Sequence, residues 1–170
     1  TQSRGVKEMK DQPTLKIDET HLRILRDLQA NGRMTNIELA GRANISAPPC
    51  LRRVRALEED GIIRGYHADI DPASLGFKET FFALVGLDGQ SQTVLTGFED
   101  WAAGVSEIRE CHMIRGGGDF MLKLLARDKE HRDDLTMRLT SADHVSNVTT
   151  FETIRTSKDE TGAPIEGVGD

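Results

Sequence analysis

Between Thr35 and Gly61 the chain holds two helical runs with almost nothing between them, and that spacing constrains the fold more than any other feature. Thr35 and Glu38 make a capping-box pattern, in which a hydroxyl and a carboxylate satisfy orphan amides at a helix start. A short helix is therefore expected over 35–43, with Ile37, Leu39 and Ala40 as a small inward face. Asn44-Ile45 leaves room only for a tight turn. Ser46 is a good cap for the next run, 46–60, and Pro48 and Pro49 fall in its first turn, where a missing N–H costs little. Leu51, Val54 and Leu57 recur at helical spacing and are expected to pack inward, and Gly61 ends the run. An earlier helix precedes both: Leu22, Leu25 and Leu28 share a face, Asp18 caps its start, and Asn31-Gly32 ends it. After Gly61, the stretch from Ile62 to Ile70 has the apolar content and turn residues of a small β wing.

A short helix, a tight turn and a second helix let one helix enter a DNA groove while the other braces it across the backbone. The major groove, about 12 Å wide, admits one α-helix. The third helix carries Arg52, Arg53 and Arg55 within one turn, and arginine pairs with guanine edges and with phosphate. Ser46, Ala47 and Pro48 are presented at its start, and amides near Thr35, Asn36 and Ser46 are expected to hold phosphate. Three arginines on one helix also describe an ordinary solvated face; the three-helix pattern followed by a wing is what favours DNA. Charge is consistent with this. Residues 1–65 hold 12 Lys/Arg against 9 Asp/Glu and the remainder 10 against 19, so a net −6 chain has a basic first part and an acidic second part.

Past a junction at Asp71 to Gly76 the period changes from helical to alternating. Strand, helix, strand, strand, helix and strand are expected over 79–87, 92–103, 105–114, 119–126, 129–139 and 145–156. The fold class is α+β: an N-terminal winged helix-turn-helix followed by a C-terminal ferredoxin-like βαββαβ domain. The expected divisions are a flexible lead (1–14), the helical domain (15–66), a linker (67–78), the sensing and dimerisation domain (79–157) and a flexible tail (158–170). In a βαββαβ unit the helices cover one sheet face only. Thr80 to Val85 is apolar toward both faces, so the second face is expected to be covered by a second copy of the chain. Arg115-Gly116-Gly117-Gly118-Asp119 reads either as a hairpin turn or as a ligand loop. In the second reading, bare glycine amides approach a carboxylate and Asp119 accepts from an ammonium, the two charges of an amino acid.

No catalytic or metal constellation stands out, and no cofactor is expected. Cys111 and His112 are adjacent on a strand and so point to opposite faces, and the other histidines are scattered. The two cysteines give no disulfide framework, which together with a polar start and no membrane-length apolar run leads to a cytoplasmic expectation with no membrane partner.

The sequence resembles the Lrp/AsnC family of feast/famine regulators. Asp18, Ile24-Leu25, Asn31-Gly32-Arg33 and Asn36-Ile37-Glu38-Leu39-Ala40 carry the likeness, as do Ile45-Ser46 and the run from Pro49 to Glu58. It continues through Gly61-Ile62-Ile63-Arg64-Gly65-Tyr66, Glu110-Cys111-His112 and the run from Gly116 to Lys123. The resemblance implies a DNA-reading third helix and dimers that often assemble further, commonly to octamers, with effectors that are usually amino acids. It further implies that Gly116 and Asp119 line an effector site between dimers, with Ile114, Gly117, Gly118, Phe151 and Thr153 as neighbours by position. Many relatives carry bulkier residues where Gly117 and Gly118 stand, and Tyr where Phe120 stands, so leucine is not implied as the effector. The expected function is a sequence-specific, effector-modulated DNA-binding regulator and not an enzyme. An architectural DNA-wrapping protein without effector and a sirohaem-decarboxylase-like enzyme are the alternatives.

Overall fold

The computed structural model describes residues 15–165, in two units: residues 15–69 with 158–165, and Ile70–Ser157. The first unit is built on three helices, α1 (Glu19–Ala30), α2 (Asn36–Arg42) and α3 (Ala47–Glu59). Asp18 caps α1: its carboxylate accepts the His21 N–H at 2.9 Å, and His21 Nδ1 accepts the Asp18 N–H at 3.3 Å. This is a capping box with an imidazole where Glu or Gln usually stands. In α2 the expected box forms, with the Glu38 N–H on Thr35 Oγ1 and the Thr35 N–H on Glu38 Oε2. The turn after α2 is a Schellman motif. Asn44 adopts φ 56°, the Ile45 N–H reaches Ala40 O at 3.0 Å, and the Asn44 N–H reaches Gly41 O at 3.2 Å. Asparagine is among the few non-glycine residues that enter this left-handed region readily, which is how so short a turn closes.

Ile24, Leu39, Ala40, Ala43, Cys50 and Leu57 form the core of this unit, with Val54, Ile62 and Ile63 packed against it. Each large aliphatic side chain so buried contributes roughly 2 kcal/mol. Two expected core positions face out instead: Ile37 is 77% and Leu51 38% exposed. In a helix of two turns, Leu39, Ala40 and Ala43 fill the inner face and Ile37 falls opposite Leu39. On α3 the buried stripe runs Cys50, Val54, Leu57, and Leu51 lies at its flank. The expected β wing is also corrected, since no strand follows α3 before residue 79. Ile62 and Ile63 fold back on the helical core, with the Ile63 N–H on Leu57 O, and residues 65–70 run exposed without a second strand to pair with.

Part of the expected tail contacts the helical unit. Gln29 on α1 donates to Ala163 O at 2.9 Å and accepts the Ala163 N–H at 3.3 Å. Gly162 adopts φ 83°, a left-handed conformation that suits glycine. The expected flexible lead, 1–14, and the end of the tail, 166–170, lie outside the described residues.

The second unit opens with a 3-10 turn, Ala73–Leu75, fixed by the Asp71 carboxylate on the Ala73 and Ser74 amides. It continues as β1 (Glu79–Leu87), α4 (Gln92–Ala103), β2 (Ile108–Met113), β3 (Phe120–Ala126), α5 (Lys129–Thr140) and β4 (Val145–Glu152). The strands pair in the order β2-β3-β1-β4, all antiparallel, the expected βαββαβ arrangement. The second and fourth strands are shorter than expected, starting at Ile108 and ending at Glu152. Alternation sorts β1 and β3 cleanly. Phe81, Ala83, Val85, Phe120, Leu122 and Leu124 are buried beneath Phe98 and Ala102 of α4 and Leu135 and Leu139 of α5. The opposite face carries Phe82, Leu84, Met121 and Leu125 half-buried and Phe151 48% exposed, with Phe82 directly opposite Phe151. Cys111 pairs with Leu122 and His112 with Met121, so the two do point to opposite faces.

Candidate DNA-reading helix and effector pocket

The three arginines of α3 do not share a face. Arg53 turns toward α1, where Nη1 lies 2.7 Å from Asp18 Oδ2 and packs on the His21 imidazole, 3.0 Å from Nδ1 and 3.1 Å from Nε2. His21 is 6% exposed, so this contact ties α3 to the start of α1. Burial opposes ionisation of Asp18, but the His21 amide and the Arg53 guanidinium outweigh it and hold the carboxyl below its ordinary range. Arg52 and Arg55, three residues apart and therefore neighbours on the helix surface, are exposed.

Other members of the expected DNA set are engaged within the chain. Thr35 Oγ1 donates to Glu38 Oε2 at 2.7 Å, and these same contacts from the Thr35 amide and hydroxyl lower the Glu38 pKa. Asn36 Nδ2 donates to Ala47 O at 2.9 Å, bracing α2 against α3. Ser46 occupies the N-cap position of α3 but makes no capping bond with its side chain, which leaves its hydroxyl exposed. Pro48 and Pro49 lack N–H groups and the Cys50 N–H is taken by Ser46 O, so Ala47 is the one residue of the first turn with an N–H to offer. The start of α3 is thus an apolar tip beside a hydroxyl, with little of the amide phosphate cradle expected there.

The glycine turn forms one wall of a cavity of about 550 Å³. Ile114, Gly116, Gly117, Gly118 and Asp119 line it; Phe151 and Thr153 do not. Those two pair with Phe82 and Thr80 at the far end of β1, whereas the turn adjoins Val85, so strand register keeps them apart. Ser146 and Asn147, at the near end of β4, take their place with Gly86, Leu87 and Gln90. The turn is built for glycine. Gly116 has φ 148°, and a Cβ on Gly118 would lie 2.8 Å from Leu84 Cδ1 and 3.0 Å from Val85 O; at Gly117 the nearest atom is 3.8 Å away. Asp119 Oδ2 accepts the Leu87 N–H at 2.7 Å and Oδ1 accepts from Gln90 Nε2 at 3.0 Å. The pocket therefore has a fixed carboxylate on one side, a glycine backbone and Arg115 on another, and Leu87, Leu95, Met113 and Ile114 between.

Residues 17–64 match the model of a winged helix-turn-helix DNA-binding family, and residues 80–163 match that of the Lrp/AsnC ligand binding domain. The chain belongs to the Lrp/AsnC family. A leucine-responsive regulatory protein of Rhizobium meliloti (strain 1021) is 44% identical over 146 residues, 85% of this chain and 94% of that protein. A proline dehydrogenase transcriptional activator of Rhizobium radiobacter is 35% identical over 86% of this chain and 94% of its own length. Among solved structures, a transcriptional regulator of Neisseria meningitidis in complex with L-methionine superposes with a TM-score of 0.84 at 29% identity, covering 89% of this chain and 98% of that one. As a Lrp/AsnC protein the chain is an effector-modulated DNA-binding transcription regulator. Sequence reasoning missed His21 as the buried partner of Arg53, and Gln90, Ser146 and Asn147 as pocket residues. Only Gly86, a glycine within an apolar strand, gave a local signal: its Cβ would lie 2.7 Å from Asn147 Nδ2.

Proposed function

We propose that α3 reads duplex DNA through Arg52 and Arg55, with Ser46, Ala47 and Pro48 at the tip, while Arg53, Thr35 and Asn36 hold the helix in place. The observation that carries this is the division of labour among the arginines: one is ion-paired to Asp18 and two are exposed side by side. Arginines three residues apart suit adjacent guanine edges or phosphates, and the alanine–proline tip suits thymine methyl groups. The apolar sheet face around Phe82 and Phe151 favours a homodimer, which would pair two reading helices for a palindromic site. Assembly of dimers into octamers, and a cytoplasmic setting, accord with this reading.

The effector is an α-amino acid with an apolar side chain. Its carboxylate fits the amides of the glycine turn and Arg115, its ammonium fits Asp119, and its side chain fits among Leu95, Met113 and Ile114. The relative solved with L-methionine supports this ligand class. A thermal-shift screen of the common L-amino acids tests it, because a ligand of the folded state raises Tm. Shifts in wild type that vanish in Asp119→Ala are expected; silence toward all of them would overturn the effector reading while leaving the DNA reading intact.

A further inference from the structure

A second cavity, of about 240 Å³, opens between α4 and the connection from α5 to β4. Val94, Gly97 and Trp101 line it from α4, and Asp143 and His144 from the connection. It shares no residue with the pocket at the glycine turn. Gly97 stands in the interior of α4, where glycine weakens a helix relative to alanine. Nothing in the fold requires a glycine there, since a Cβ would meet no atom within 4 Å. What the missing side chain leaves is open space in the cavity. Trp101 is four residues on and so lies on the same helix face. Its ring stacks on Phe98 at 5.7 Å between centroids, and Phe98, 3% exposed, packs in turn on Phe120 at 4.8 Å. The indole is thus anchored on the core while remaining half-buried at the cavity wall.

The opposite wall is acidic. His144, at φ 63°, is held by two bonds to Asp88: the Asp88 N–H donates to His144 O at 2.9 Å, and the imidazole Nδ1 donates to Asp88 Oδ1 at 2.9 Å. A carboxylate only accepts, so the imidazole uses its Nδ1–H there. The neighbouring Asp143 carboxylate makes no hydrogen bond or ion pair among the described residues. No lysine or arginine lines the cavity.

We propose that this cavity is a binding site for a small organic cation, an amine or guanidinium carried on a short apolar stem. A cation is drawn to the face of an aromatic ring by its quadrupole, most strongly to that of tryptophan. The Asp143 carboxylate accepts a charge-assisted hydrogen bond from the same group. Gly97 and Val94 offer the stem an apolar bed. An anion would meet a carboxylate and an electron-rich ring with no countercharge. The cavity is smaller than the roughly 300–1,000 Å³ of pockets for drug-sized ligands, which restricts the occupant to a small molecule. The site is independent of the amino-acid effector.

Trp101 is the single tryptophan of the chain, so its fluorescence reports on this cavity directly. The test is a fluorescence titration of the full chain with n-butylguanidine, with n-butylurea, which has the same shape without the charge, and with pentanoate. Wild type, Asp143→Asn and Gly97→Leu are compared. Wild type is expected to give a saturable change with the guanidine and to bind the urea and the carboxylate much more weakly. Asp143→Asn should weaken the guanidine about fivefold, as the loss of one solvent-exposed charge partner would, and leave the urea unchanged. Gly97→Leu places a side chain in the cavity and improves the helix, so binding should vanish while Tm does not fall. No saturable change in wild type, equal affinity for guanidine and urea, or unaltered guanidine binding in either variant would overturn the proposal.

Discussion

Arg53 Nη1 lies 2.7 Å from Asp18 Oδ2, across 35 residues of sequence, and this ion pair joins the start of the first helix to the middle of the third. An arginine so placed orients α3. Arg53→Ala is expected to lower the stability of the helical unit by about 1 kcal/mol, since it strips an ion pair whose Asp18 side chain is 49% exposed and uncovers the buried His21. Arg52→Ala and Arg55→Ala should leave Tm within a degree or so of wild type and weaken DNA binding, each reducing the slope of log affinity against log salt by about one for a lost phosphate contact. Urea unfolding and salt-dependent DNA titrations separate the two classes.

Acid should undo the same ion pair. The folded Asp18 carboxyl titrates below its ordinary value of 3.8, so its contribution is present above that value and is lost as pH falls through the lower, folded one. Asp18→Asn keeps a capping oxygen but abolishes the titration. Wild type is expected to be the more stable at neutral pH, and the difference should close as pH drops below about 4. Because the Asp18 side chain is 49% exposed, solvent screening should keep the difference to about 1 kcal/mol or less. Urea midpoints at a series of pH values check it.

The glycines of the turn before β3 should respond unequally to substitution. Gly118→Ala brings a methyl against Leu84 and the Val85 carbonyl, and Gly116→Ala forces an L side chain into φ 148°, so each should cost about 1–3 kcal/mol. Gly117→Ala meets only Leu84 Cδ2 at 3.8 Å and should be tolerated. The melting temperatures of the three variants decide this.

Cys111 should be a slow nucleophile despite being reached by solvent. Burial of the sulfur and then the charge of Glu99 push its pKa up to about 11, leaving almost no thiolate at neutral pH. Iodoacetamide should label it many-fold more slowly at pH 7 than it labels the unfolded chain, and mass spectrometry of timed samples measures the ratio.

Much of this molecule could be read before its structure. Strong periodicity placed β1 and α4 to the residue, and Asp18, Thr35 and Gly61 marked the ends of helices because capping chemistry is local. What escaped depends on neighbours distant in sequence. Nothing in the run of arginines told which one would turn back, because the answer lies with His21 and Asp18. Phe151 and Thr153 were grouped with the glycine turn by position along the chain, whereas antiparallel pairing with Phe82 and Thr80 places them at the other end of the strand. Ile62-Ile63 looked like a strand because two isoleucines fit a pleated surface as well as the edge of a helical core, and only the absence of a partner strand separates the two.

The pairing of Gln29 with Ala163 has a consequence for how the chain is made. The DNA-reading helices leave the ribosome first, yet the segment that lies against α1 is translated after the whole sheet. The helical unit therefore acquires these contacts only when the sensor has been synthesised, so a nascent or prematurely terminated chain would carry a reading head in which Gln29 lacks its Ala163 partner.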